Sequence, residues 1–201
     1  RPLTEGHGRG NGVLLRLTPD EPIIAYRKFR FNNGRNSIYF HKNMRVYANI
    51  DMEGGDGMGF RMQSDVRDTV SLQNVNVELN RFRLSELSEV LPYLPRLTGL
   101  FSVEANYIQT PEALQLAAEA DIDSMTYEGR PVGDVGAGVT WLPASERSHY
   151  LSAYLACNDR QVATVDGLLG TEANADALSL DASLERLPLS VANAFVPDGM
   201  A

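Results

Sequence analysis

The chain has 201 residues, 43% hydrophobic and 22% charged, with a formal net charge of −8. That composition fits a folded chain of one or two domains and excludes a disordered one. The acidic balance argues against general nucleic-acid binding, and no run approaches the roughly 18 consecutive apolar residues of a membrane-spanning helix. One cysteine, Cys157, permits no internal disulfide and reads as a buried small hydrophobe in the run HYLSAYLAC.

Residues 6–12, GHGRGNG, alternate glycine with polar residues, so residues 1–22 read as a flexible or linking segment. This is not a phosphate-cradling loop, because no strand precedes it and no Lys-Ser/Thr follows. Residues 13–17 alternate weakly before Pro19 and Pro22. From Ile23 onward the chain reads as one repetitive β segment reaching residue 201. IIAYRKFRF leads to a turn at Asn32-Asn33-Gly34 and then NSIYFHK. MRVYANIDM puts Val46, Ala48, Ile50 and Met52 on one face. After a glycine turn at residues 53–57, MGFRMQSDV puts Met58, Phe60, Met62 and Val66 on one side.

The same two-residue beat runs on through Val75, Val77 and Leu79, then breaks. Leu84, Leu87, Val90 and Leu91 have helical spacing, with Ser85 as N-cap, and Pro92 and Pro95 stop the helix. Alternation resumes in FSVEANYI, LQLAAEADI and, after a Glu128-Gly129 turn, DVGAGVTWL. SAYLAC, VATVDGLLG and LSLDASLERL complete the series. Ten or more short strands with turns between them and two short helices mean an all-β, antiparallel chain, apolar on one side and wet on the other. A closed sandwich or barrel and a long curved sheet with an apolar groove both satisfy this pattern.

The segment at residues 79–99, LNRFRLSELSEVLPYLPRLTG, returns at residues 184–201 as LERLPLSVANAFVPDGMA. Leu79, Arg81, Leu84 and Ser85 match Leu184, Arg186, Leu189 and Ser190 at a constant offset of 105 residues. Self-similarity of this kind points to stacked architecture. The sequence stops inside the second copy, and the expectation is a piece of a longer protein.

Little in the sequence suggests chemistry. His7, His41 and His149 are isolated, without the paired spacing of a metal site. Asp121 and Asp123 share a face of a strand and read as solvated carboxylates rather than an acid/base pair. Residues 53–57 lack the ligand spacing of a calcium loop, and no GxSxG, P-loop or GxGxxG is present. The expectation is no enzyme, no catalytic residue, no metal and no cofactor. Residues 1–50 hold nine Lys/Arg against Glu5, Asp20 and Glu21. Their cluster Arg27, Lys28, Arg30, Arg35, Lys42 and Arg45 reads as a solvated strand face, with anionic headgroups or phosphate as the alternative.

The repeated motif resembles the recurrent segment of the TamB family. LERLPLSVANAFVPDGMA is similar to its "Leu…Phe-x-Pro-Asp" element, and Leu94-Pro95-x-Leu97-x-Gly99-x-Phe101 resembles the same element with its next strand. Tyr127, Gly129, Val132 and Gly133 match the interval between copies. The resemblance covers residues 35–201 and leaves the basic N-terminal part unmatched. It implies an elongated, curled antiparallel β-sheet, a β-taco, with an apolar concave groove. It further implies a long protein of the diderm cell envelope, anchored in the inner membrane and crossing the periplasm. Its implied role is phospholipid transport between the membranes and outer-membrane biogenesis. Phospholipid acyl chains and an Omp85-type barrel or nascent outer-membrane proteins are the implied partners.

The groove is expected to be lined by Phe101, Val103, Leu116, Ala118, Val135, Val139, Trp141 and Leu180, by strand parity. Two other readings stand beside the conduit: a chaperone-like groove for outer-membrane barrels, and an ordinary secreted β-sandwich binding module. Raw sheet edges also lead to an expectation of self-association.

Overall fold

Alternating apolar and polar residues in runs of five to sixteen form all the strands but the two-residue β2, because successive side chains leave a strand on opposite faces. In a computed structural model, the structure describes residues 12–17, 21–24, 27–32, 36–42, 45–86, 95–145, 148–170 and 178–185. Thirteen strands follow in chain order: β1 (Gly12–Arg16), β2 (Ile23–Ile24), β3 (Arg27–Phe31), β4 (Ser37–His41), β5 (Val46–Gly54), β6 (Gly59–Ser64), β7 (Gln73–Arg83), β8 (Leu97–Gln109), β9 (Leu114–Tyr127), β10 (Arg130–Ser145), β11 (Ser148–Cys157), β12 (Arg160–Gly170) and β13 (Leu178–Leu184). Strand β1 lies inside the segment read from sequence as a linker.

The strands make one antiparallel sheet in the order β1-β4-β5-β6-β7-β8-β9-β10-β11-β12-β13, with the short β2 joined through β3. From β5 onward each strand pairs with the next, so the chain meanders. At the other margin β5 is shared, its first half paired with β4 and its second with β3. Asn36 seals that split. Its side-chain oxygen accepts from the Asp51 N–H at 2.7 Å, its carbonyl accepts from the Leu17 N–H at 2.9 Å, and the residue is buried.

The sheet is open and not strongly curled, which corrects the expectation of a curled β-taco. The main contacts among the described residues join hydrogen-bonded neighbours, so no described strand forms a second layer over either face. Of the expected helices, only residues 84–86 are described, and they are helical. The rest of that helix and the second copy beyond residue 185 lie outside the described residues, as do Asn33 and Gly34 of the expected turn.

Val66 does not share the side of Phe60 and Met62. It sits in the β6–β7 loop and is strongly exposed, because Asp65 ends the strand: its carboxylate accepts from the Arg67 N–H at 2.8 Å and turns the chain.

That loop is held by Asp68. Its carboxylate accepts from the N–H groups of Val70 and Ser71, both at 2.9 Å, and from Asn74 Nδ2 at 2.8 Å, while the Arg45 guanidinium donates to its carbonyl. The backbone and hydroxyl of Ser71, followed by Asn74, hold this carboxyl well below its ordinary value of 3.8. A depressed carboxyl stabilises the folded loop fully above that ordinary value, and the contribution is lost as pH falls toward the folded value. Asp68→Ala should therefore speed amide exchange at Val70 and Ser71 by about tenfold at pH 7, with the difference from wild type shrinking in strong acid. Equal exchange at pH 7 would mean the loop is held elsewhere.

The apolar face of a candidate site

Register places side chains more firmly than parity does, because residues paired across strands share a face. One row runs Ile50, Met62, Val77, Ala105, Ala118, Val139, Ala153, Val165, Ala182, apolar on nine successive strands. A second runs Phe31, Met52, Phe60, Leu79, Val103, Ala120, Ala137, Leu155, Ala163, Leu184. A third includes Val75, Tyr107, Leu116, Trp141, Leu151, Gly167 and Leu180, and a shorter fourth joins Phe82, Phe101, Ile122, Val135 and Cys157. All eight residues expected to line a groove therefore lie on one face. Leu116 faces Trp141 directly, and Ala118 faces Val139.

The opposite face is polar. Asp51, Arg61, Glu78, Glu104, Glu119, Gly138, Tyr154, Thr164 and Ser183 form one row across it. Arg61 reaches Glu78 at 3.1 Å and Asp51 at 3.6 Å. Asp121 and Asp123 are exposed, as expected for solvated carboxylates.

Among the described residues the apolar face is buried at one strand end in two clusters, and at Ala48 and Val75 toward the other end. Phe29, Ile50, Met52 and Met58 form a buried cluster near the β5–β6 turn, with Phe29 stacked on Phe82 at 5.7 Å. Val132, Cys157 and Val162 form another near the β9–β10 and β11–β12 turns, where burial raises the Cys157 thiol above its ordinary pKa. From β8 to β13, beyond these clusters, the described face is half-buried or exposed. None of the eight expected residues is buried, and Leu180 is 48% exposed. Strands lie about 4.8 Å apart and alternate residues about 7 Å apart, so the uncovered part from β8 to β13 spans roughly 25 by 20 Å. That is about 500 Å2, the size of the largest apolar patch of a typical monomer, which is often functional.

A line of bulges borders the covered end. The register slips at Asn80-Arg81 of β7, Asp123-Ser124 of β9, Val132 of β10 and Val162 of β12. Arg81 and Ser124 hold positive φ of 55° and 52°. Side chains on neighbouring strands secure them: the Arg81 N–H donates to Ser102 Oγ at 3.0 Å, and the Ser124 N–H to Asp134 Oδ1 at 2.8 Å. Gly99 and Gly133 also take positive φ. A Cβ on Gly99 would come within 2.7 Å of Ile122, and one on Gly133 would strike the Asn158 amide, which accepts from the Asp134 N–H. Each bulge adds local twist and shifts the side-chain alternation of its strand by one residue.

Sequence reading missed two features. His149 stacks on Trp141 at 5.0 Å on the apolar face, a contact that spacing does not signal. On the polar face a shallow 280 Å3 depression lies over Gly138, flanked by Glu104, Glu119, Thr140 and Tyr154. Desolvation, followed by the charges of Glu119 and Asp121, raises the Tyr154 hydroxyl pKa. Among the described residues no group of His, Cys, Asp and Glu side chains is placed to hold a metal ion. The basic cluster is partly spent internally: Lys28 pairs with Glu21 at 2.9 Å, Arg27 donates to Glu86 at 2.8 Å, and Arg45 is buried over the Tyr47 ring. Compared with known protein families, curated proteins and solved structures, the chain matches none.

Proposed function

We propose that the apolar face is a non-enzymatic surface for lipid acyl chains, and that the chain is a segment of a TamB-like conduit for phospholipid in the cell envelope. The observation that carries this reading is the pair of unbroken apolar rows that cross nine strands and, among the described residues, are half-buried or exposed from β8 to β13. Acyl chains match such a surface because their contact is non-directional and gains about 0.8 kcal/mol per CH2 removed from water. A row structure without interruption lets a chain shift from strand to strand without meeting a charge, which a single closed pocket does not.

In this reading the face is the inner wall of a groove, and the sheet curls further across it when shielding cargo. The line of bulges marks where such curling begins. The full protein would be anchored in the inner membrane and cross the periplasm, with an Omp85-type barrel as partner. The resemblance of residues 79–99 and 184–201 to the TamB motif supports this placement.

Photo-crosslinking in cells with labelled phospholipid tests the proposal. Crosslinkers at Val103 and Val139 should capture lipid, and those at Glu104 and Thr140, on the opposite face, should not. Capture of outer-membrane protein without lipid at the inner positions would replace the conduit with a chaperone. No capture at any of the four would remove both.

A further inference from the structure

The internal sequence repeat and the sheet register coincide. Val75, Val77 and Leu79 of β7 stand 105 residues before Leu180, Ala182 and Leu184 of β13, and each of the three pairs belongs to a single cross-strand row. The repeat thus returns six strands later to the same rows with no slip. A chance match of two strand-turn corners has no reason to keep register across six intervening ladders and their bulges.

Backbone direction agrees. In an antiparallel sheet the N–H and C=O of one residue face the same neighbouring strand. The Glu185 N–H donates to the Val162 carbonyl, so odd-numbered residues of β13 face β12, while Leu180, Ala182 and Leu184 face away. On β7 the Asn74 carbonyl accepts from the Asp65 N–H on the β6 side, so Val75, Val77 and Leu79 face β8 and are bonded to it. Strand β13 is therefore oriented as β7 is, with the side that β7 gives to β8 turned outward. It carries no Pro, Lys or bulge to blunt that edge, and Leu184 is 79% exposed.

We infer that the outer edge of β13 is a docking edge for a further antiparallel strand patterned like β8, seated so that an apolar residue opposes Leu184 as Val103 opposes Leu79. The partner is a polypeptide strand of alternating apolar and polar residues, about a dozen long. The edge is distinct from the lipid face, so either assignment can fail alone.

A synthetic peptide of residues 97–109 supplies the probe. In the β7 register Glu104 sits opposite Glu78, whose counterpart at the 105-residue offset is Ser183. A Glu104→Cys peptide should form a disulfide with Ser183→Cys protein at least tenfold faster than an Asn106→Cys peptide, which is two residues out of register. Ala182→Pro removes an outward N–H and leaves the β12 ladder intact, and it should abolish capture. Equal capture of both peptides, or capture indifferent to Ala182→Pro, would overturn the assignment. So would a dimer through β13 that excludes the peptide, which would make a second copy the occupant.

Discussion

Phe29→Ala should lower stability by about 3–5 kcal/mol, the cost of emptying a large aromatic site that cannot collapse. Phe29 is 1% exposed and stacks on Phe82, among Ile50, Met52 and Met58. Its ring also lies 3.1 Å from where a Gly54 side chain would start, so backbone closes one side of the site. Leu180→Ala removes a comparable apolar side chain from the uncovered part of the same face, where much of it already meets water. There the loss should be below about 1 kcal/mol. Urea unfolding of the two variants measures the contrast. Similar losses would show that the whole face is buried in solution, by association or by a covering layer, and the open-face reading would fall. A small loss at both sites would instead place the core elsewhere.

The contrast bears on what could be read in advance. Alternation such as Val46, Ala48, Ile50, Met52 located strands and their apolar side, because a strand's period is its own and needs no partner. The eight residues expected to line a groove fall on one face for the same reason. Alternation does not say what covers a face, which depends on layers contributed from elsewhere, so a sandwich and an open sheet read alike. Bulges were equally hidden. Arg81 and Ser124 hold left-handed backbone without being glycine, and the groups that secure them, Ser102 and Asp134, come from other strands. Past those points parity reverses: Ile122 and Met125 both face the apolar side although one is even and the other odd. Val66 failed for a local reason, since a two-residue beat carries no end mark and the Asp65 turn supplies one. The tight turn at Asn158-Asp159, both at positive φ, joins β11 to β12 without a glycine to announce it.

Val139→Asp should reduce lipid capture by about a hundredfold or more, and Thr140→Asp should leave it unchanged. The two positions are neighbours on β10 with side chains of nearly the same shape, and they point to opposite faces. Val139 lies in the row of Ala118 and Ala153, and Thr140 lies in the row of Ala117 and Ser152. A carboxylate at residue 139 would sit on the path of the acyl chain and lose its water whenever cargo passed. Burying an unpaired charge costs several kcal/mol, and each 1.4 kcal/mol is a factor of ten in occupancy. At residue 140 the same carboxylate stays hydrated beside polar neighbours. Both variants lose one β-branched residue from the same strand, so their stabilities should fall together, and circular dichroism with urea titration checks that. Capture is then read with the crosslinker at Val103, two strands and one row away. If both variants lose capture equally, strand damage explains the effect. If neither does, acyl chains do not travel along this face.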